Sequence, residues 1–184
     1  EFHKFVENFL ARKQISLDIN SIKHFFEQRK KFYTKNSVNN YVSEIKNAIS
    51  NFINFYNWWK TDHILLKSEF VIGDKETEIC GTIDNLSYNK RTNELVMFDY
   101  KTNKDIKRKN QYGEKFLNPL EHLDKCEFTK YSLQLSLYST IIEKTTEFKV
   151  PKSYIVWVNG EDGYELIECL DLKKDSTTLL NNCK

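Results

Sequence analysis

The sequence predicts an α/β (α+β) domain in which helices flank a mixed β-sheet. Three observations predict this fold class. Apolar residues recur at helical spacing through the first third of the chain, short β-prone segments follow, and one more helical run separates the third of these segments from the fourth. Helices and strands in this order bury their apolar faces best when the helices are layered on the sheet.

Residues 1–60 form the predicted helical part. Phe2, Phe5 and Phe9 begin the pattern, and a second run covers residues 22–33. A third, amphipathic run starts after Ser37, which we expect to cap it. Its aromatic residues between positions 52 and 59 could stack on nucleic-acid bases, but packing of a long helix on the core is the favoured interpretation.

The strands are predicted from β-prone residues and turn signals. Segments 69–72, 78–86 and 94–101 come first, then a Lys-rich connection over 102–128 and a helix over 130–144. Two further strands are expected at 153–158 and 164–170, followed by an irregular tail. The prediction is one domain, 1–184, with its catalytic core in residues 66–172.

Composition narrows the class of protein. The 184 residues carry a net charge of +2, which neither requires nor excludes nucleic acid. No segment has the ~20 apolar residues of a membrane span, so we expect a soluble, intracellular protein that does not engage a membrane. The four cysteines are spaced too irregularly for zinc or iron–sulfur ligation, and reduced thiols are expected.

The chemistry is concentrated in two neighbouring segments, Cys80-Gly-Thr-Ile-Asp84 and Glu94-Leu-Val-Met-Phe-Asp-Tyr-Lys101. Because side chains alternate along a strand, Asp99 and Lys101 share one face. An antiparallel partner strand joined by a turn would bring Asp84 close to Asp99. Two adjacent carboxylates suit Mg²⁺ or Mn²⁺, and a nearby ammonium could activate water and offset phosphate charge. The alternative is a strand end with ordinary solvated charges.

The order of motifs resembles the PD-(D/E)XK nuclease superfamily, in particular its RecB-type and phage-exonuclease branch. The matching residues are Gly81-Thr-Ile-Asp84, Asp99-Tyr-Lys101 and Gln134-Leu-Ser-Leu-Tyr138. The resemblance covers most of the chain, from His3 to about Trp157. It implies a restriction-endonuclease-like core and a metal-dependent nuclease, with Asp84, Asp99 and Lys101 as the catalytic residues.

The resemblance also implies roles for further residues. The Tyr100 backbone carbonyl would be a third metal ligand, and Gln134 and Tyr138 would contact DNA or orient the lysine. For that pair, a polar edge of a packed helix is the alternative. His3, within His3-Lys-Phe-Val-Glu7, would be a metal ligand that favours Mn²⁺, rather than a surface histidine. Glu69 is a secondary candidate near the metal. The cysteines depart from the iron–sulfur members of the superfamily, so no cluster is expected.

A group of cations follows the catalytic strand directly: Lys104, Lys107, Arg108 and Lys109. Beside a phosphodiester site, these side chains could bind single- or double-stranded DNA through its phosphates, without regard to sequence. Alternatively they belong to an ordinary solvated loop. No base-reading module is evident, which favours an exonuclease or an end- or flap-processing enzyme of recombination, repair or phage-like replication. Other hypotheses are a non-cleaving binding module on the same fold, an unrelated α/β domain with fortuitous motifs, and RNA as the substrate.

Overall fold

The computed structural model describes residues 1–12, 24, 35–160 and 163–183. Its helices are α1 (Phe2–Leu10), α2 (Lys35–Asp62), α3 (Glu127–Thr145) and α4 (Lys173–Asn182). Its strands are β1 (His63–Asp74), β2 (Ile79–Asn89), β3 (Glu94–Lys101), β4 (Lys152–Gly160) and β5 (Gly163–Glu168). The helical run predicted over residues 22–33 lies outside the described residues, apart from position 24.

The five strands form one mixed sheet in the order β1-β2-β3-β4-β5. β3 and β4 are parallel, and every other neighbouring pair is antiparallel. The parallel pair needs a crossover, which the connection after Lys101 and helix α3 provide. This sheet with its flanking helices confirms the predicted α+β class, and it is consistent with a restriction-endonuclease-like core.

Alternation along β3 places a core on each face of the sheet. Val96, Phe98 and Tyr100 pack with α1 and α2, whereas Leu95 and Met97 pack with α3 and α4. Asp99 and Lys101 continue the second set, so they lie on the α3 side of the sheet. The central strand therefore carries its two charged residues at the end of an otherwise apolar row.

The aromatic residues of α2 are core residues, as the favoured interpretation predicted. Phe52 and Phe55 are fully buried, and Trp59 is buried at 4% exposure. The ring of Phe52 meets the edges or faces of Phe2 and Tyr100 at centroid distances of 6.2 and 5.3 Å. These contacts hold α1 and α2 against the face of the sheet that carries Tyr100.

Two local predictions are wrong. Helix α2 is described from Lys35 onward, so Ser37 lies within the helix and not at the N-cap position before it. The expected tail after residue 172 is instead helix α4, which buries Ser176 and Leu180. Its mixed polar sequence gives a weak apolar pattern, and packing against α3 stabilises it instead. Among the described helices, none is long and apolar enough to cross a membrane.

Candidate active site

The candidate site lies where β2 and β3 separate. These strands are paired from Asn89–Glu94 to Asn85–Phe98, and beyond that point β2 continues only along β1. β3 stays paired with β4 as far as Lys101–Trp157. The divergence frees the backbone N–H of Tyr100 from a β2 partner. The Asp84 carboxylate fills the gap and accepts a hydrogen bond from that N–H at 2.9 Å.

Asp99 and Lys101, at the end of β3, form a largely buried ion pair. The Lys101 Nζ lies 2.6 Å from Asp99 Oδ2, and the two side chains are only 17% and 6% exposed. Burial raises the pKa of Asp99 to about 6, the Lys101 ammonium opposes that rise, and the Asp84 carboxylate adds to it. From the described residues, Asp99 Oδ2 accepts no hydrogen bond of normal geometry. Apart from the Lys101 ammonium, this buried oxygen has no polar partner among the described residues.

Next to the candidate site, a buried hydrogen bond links a side chain of β2 to a side chain of β3. The fully buried Asn85 donates a hydrogen bond from Nδ2 to the Tyr100 hydroxyl at 2.8 Å. Ser87 in turn donates to the Asn85 side-chain oxygen. These bonds join β2 to β3 at the last point where the strands are paired, and so they set the position from which Asp84 and Asp99 diverge.

Helix α1 brings His3 to the open side of the gap. Its Nδ1 lies 3.8 Å from Asp84 Oδ2, and the helix is held by the buried Phe2 and Val6. Burial lowers the pKa of His3, although the Asp84 carboxylate opposes this effect. A neutral imidazole is the form that binds a metal ion. His3 thus lies close to the Asp84 carboxylate, and its role as a metal ligand stays a prediction.

Glu69 adds a further carboxylate to the site. Ser68 pairs with Asn85 and Phe70 pairs with Ile83, so Glu69 lies opposite Asp84. Its backbone has a φ of 48°, in the left-handed region that a glutamate seldom adopts. Burial raises the pKa of Glu69, and the charges of Asp84, Glu7 and Asp99 raise it further. Glu69 therefore lies beside Asp84, as its role as a secondary candidate near the metal requires. Metal binding by Glu69 stays a prediction.

Gln134 and Tyr138 lie on the face of α3 that packs over β2. Gln134 Nε2 donates to the Tyr138 hydroxyl at 2.8 Å, and Tyr138 is buried at 7% exposure. The Tyr138 ring lies so close to Gly81 that a Cβ at position 81 would overlap it. Gly81, three residues before Asp84 in the first predicted motif, is therefore in direct contact with Tyr138 of the third motif.

The four cations after β3 are exposed, but they are not equivalent. Lys104, Lys107 and Lys109 extend from the surface of the connection. Arg108 donates to Glu165 at 2.8 Å and lies over the Phe128 ring. The connection itself is anchored by the buried Ile106. Arg108 is therefore partly neutralised, which leaves the three lysines as the better candidates for phosphate contacts.

The donor set can be compared with the requirements of a metal ion. Within the part of the chain that the structure describes, no three His, Cys, Asp or Glu side chains form a ready-made metal cluster. Mg²⁺ needs fewer: one or two carboxylates suffice when waters and substrate oxygens complete its shell. In number, the carboxylates of Asp84 and Asp99 are sufficient, and their role as ligands, like that of His3, stays a prediction. The Tyr100 carbonyl remains a predicted ligand.

Three residues that border the site were missed in the sequence. Tyr131 on α3 faces Lys101, and Asn103 and Trp157 are hydrogen-bonded beside it. A signal existed for Tyr131, because it lies three residues before Gln134 and seven before Tyr138, on one helical face. No comparable pattern marks Asn103 or Trp157, whose contacts depend on the crossover between β3 and β4.

Similarity to known proteins is found at the level of structure. A solved structure of a protein named as a putative exonuclease from Eubacterium rectale is similar to it, with a TM-score of 0.48 and 10% sequence identity. The match covers 98% of this chain and 62% of that one, so this chain spans about 62% of the other protein's length. No family model and no curated protein matches the sequence.

Proposed function

We propose that this protein is a metal-dependent DNA nuclease whose catalytic residues are Asp84, Asp99 and Lys101. One observation carries the proposal. Two carboxylates on diverging strands approach a common gap, and the Lys101 ammonium lies 2.6 Å from one of them. An exposed ion pair would carry little information, whereas this pair is largely buried beside a second acid, an arrangement that is frequent at functional sites. The motif resemblance to PD-(D/E)XK nucleases supports the same conclusion.

The residues divide the chemistry of phosphodiester hydrolysis among them. Asp84 and Asp99 would hold Mg²⁺ or Mn²⁺, with the Tyr100 carbonyl and His3 as additional ligands. The bound ion would lower the pKa of a coordinated water and offset the charge of the phosphate. The hydrogen bond from the Tyr100 N–H holds the Asp84 carboxylate in place. Lys101 would orient the attacking water and stabilise the negative charge that develops on the phosphate oxygens.

The finer assignment is an exonuclease or an end- or flap-processing enzyme of recombination, repair or phage-like replication. It rests on the resemblance to the RecB-type branch and on a sequence in which no base-reading module is evident. The exposed lysines at 104, 107 and 109 would then contact phosphates without regard to sequence. A non-cleaving binding module is the second candidate function. The intact set of Asp84, Asp99 and Lys101 favours the nuclease, because a module that does not cut has no need of the lysine.

The proposal is tested with end-labelled linear DNA, circular single-stranded DNA and matched RNA, each incubated with Mg²⁺, Mn²⁺ or EDTA. We expect metal-dependent digestion that falls by on the order of 10²–10⁴-fold in Asp99→Asn and in Lys101→Ala. Glu94→Gln and Lys90→Ala are matched controls at the other end of β3 and should cut normally. Degradation of linear but not circular DNA would indicate an exonuclease.

Each alternative has its own outcome. Binding without cleavage by the wild-type protein would favour the non-cleaving module. Cleavage that persists in both site variants would remove these residues from the mechanism. Faster digestion of RNA than of the matched DNA would indicate that RNA is the substrate. A protein that neither binds nor cuts any strand would contradict the proposal as a whole.

A further inference from the structure

The Lys101 side chain is enclosed by α3 as well as by Asp99. Its ammonium lies over the Tyr131 ring, 4.7 Å from the ring centroid. A lysine has four rotatable side-chain bonds and loses substantial entropy when held in one position. The Asp99 contact alone leaves the ammonium free to swing about that oxygen. The aromatic face supplies a second, attractive surface that restricts this motion.

Tyr131 is itself fixed through the chain that follows β3. Its hydroxyl accepts a hydrogen bond from Asn103 Nδ2 at 2.9 Å. The backbone carbonyl of Asn103 accepts hydrogen bonds from Trp157 Nε1 at 2.7 Å and from Asn159 Nδ2 at 3.2 Å. Trp157 is also the strand partner of Lys101 across β3 and β4. The ring is therefore tied, through Asn103, to β4, the strand that pairs with β3 at Lys101.

We infer that Tyr131, anchored by Asn103, is a positioning residue that fixes the Lys101 ammonium at the candidate site. The inference deepens the proposed function and rests on it for the catalytic role of Lys101. Tyr131 also packs against the cluster formed by Ile106, Ile155 and Ile167. A purely structural role would consist of that packing, which another apolar side chain of similar size can supply. The positioning role requires an aromatic face.

Two substitutions separate these roles. Tyr131→Phe keeps the ring over Lys101 and loses only the Asn103 hydrogen bond. Tyr131→Leu keeps apolar packing and loses the aromatic face. We expect kcat to fall about tenfold in the leucine variant with KM within about twofold, and at most about threefold in the phenylalanine variant. Tyr41→Leu, on the exposed surface of α2, is the control and should leave both constants unchanged.

A second measurement does not depend on activity. Protons on the lysine side chain beneath an aromatic ring resonate upfield, so the ε-methylene signal of Lys101 should be displaced from those of the other lysines. Its assignment follows from the signal that disappears in Lys101→Arg. We expect the displaced signal in the wild-type protein and in Tyr131→Phe, and its return to the common lysine position in Tyr131→Leu.

The combined results distinguish the inference from the proposed function. A displaced signal lost in Tyr131→Leu, together with the loss of kcat, supports both. A signal that does not move in Tyr131→Leu overturns the inference, whatever the activity. If the signal moves but kcat is unchanged, Tyr131 holds the lysine without serving the reaction, and the positioning role is overturned. If the wild-type protein cuts no substrate, a signal that moves supports the contact while the nuclease proposal fails.

Discussion

At the scale of single residues, Asp99 and Lys101 illustrate how a charged pair is kept in a buried position. Moving a carboxylate out of water disfavours its ionised form, and the pKa of Asp99 is accordingly raised to about 6. Burial is the largest single influence and acts to lower the pKa of Lys101, but the Asp99 carboxylate, the Asp84 carboxylate and Tyr131 together outweigh it, and the net direction is upward. Each partner thus stabilises the charged state of the other, so removing either one leaves an uncompensated buried group.

At Gly81, no side chain fits unless Tyr138 moves. An alanine there would force the Tyr138 ring to move, because the new Cβ would overlap it. Overpacking of this kind costs about 1–3 kcal/mol, and we expect Gly81→Ala to lower the free energy of unfolding by that amount. Urea denaturation of the wild-type protein and the variant measures the difference.

A double-mutant cycle with Tyr138→Ala shows whether the overlap is the cause. With the ring removed, Gly81→Ala should change the free energy of unfolding by less than about 0.5 kcal/mol. An equal cost in both backgrounds would mean that the glycine is required for its backbone rather than for its contact with Tyr138.

The sequence could predict only part of the site at this scale. Asp84, Asp99 and Lys101 follow from strand alternation and from one antiparallel hairpin, both of which are local. Tyr131 and Asn103 meet Lys101 only after the crossover helix has packed on the sheet. The left-handed backbone of Glu69 was equally unpredictable, because no glycine or asparagine marks that position.

At the scale of elements, a polar clamp joins the β1–β2 turn to the end of α3. Asp74 accepts hydrogen bonds from Lys144 Nζ at 2.9 Å and from Thr77 Oγ1 at 2.8 Å. Lys144 also donates to Glu76 at 2.9 Å. The Asp74 side chain is 4% exposed and that of Glu76 is 59% exposed. The buried contact is therefore the one expected to matter for stability.

The clamp predicts a pH dependence of stability. The hydrogen bond from Lys144, followed by that from Thr77, holds the pKa of Asp74 below its ordinary value of 3.8. Because the unfolded chain binds this proton more readily, the contribution is fully present above pH 3.8 and is lost as the pH falls through the lowered pKa. The unfolding free energy of wild type should exceed that of Asp74→Asn at pH 6, and the gap should narrow towards pH 2. Denaturant titrations at several pH values measure it.

Glu76→Gln provides the matched control for this prediction. It removes the exposed partner of Lys144 and should have a much smaller effect at every pH, because solvent screens that contact. A gap between wild type and Asp74→Asn that stays constant down to pH 2 would show that ionisation of Asp74 contributes nothing.

The elements that the sequence predicted best are those with an uninterrupted pattern. The predicted bounds of β3 agree with the structure because its apolar residues run without a break from Leu95 to Phe98, and both faces of the strand are buried. β1 was predicted as four residues but has twelve, since a register shift between Leu65 and Lys67 and the unusual backbone of Glu69 interrupt its alternation. At such irregularities the alternation of buried and exposed residues is interrupted, although the strand stays paired with its neighbour.

At the scale of the whole molecule, the helices cover the sheet on both faces and leave the site at the end of its central strand. α1 delivers His3 from one face, and α3 delivers Tyr131 from the other. The net charge of +2 is too small to draw DNA to the protein as a whole. Any attraction must therefore come from the uneven placement of cations, and three exposed lysines lie within nine residues of Lys101, in the connection after β3.

The uneven placement predicts the salt dependence of DNA binding. Each phosphate contact releases counterions, so replacing three contacting lysines with glutamine should reduce the slope of log K against log salt by about 2–3. The variant carries Lys104→Gln, Lys107→Gln and Lys109→Gln, and its affinity for DNA of different sequences should fall uniformly. The control removes the same charge outside the connection, by glutamine substitution of the exposed Lys67, Lys90 and Lys149. Binding measured by fluorescence anisotropy between 50 and 200 mM salt, in EDTA to prevent cutting, should show an unchanged slope for the control. Equal slopes for both variants would mean that DNA responds only to net charge, and the connection would then have no specific part in binding.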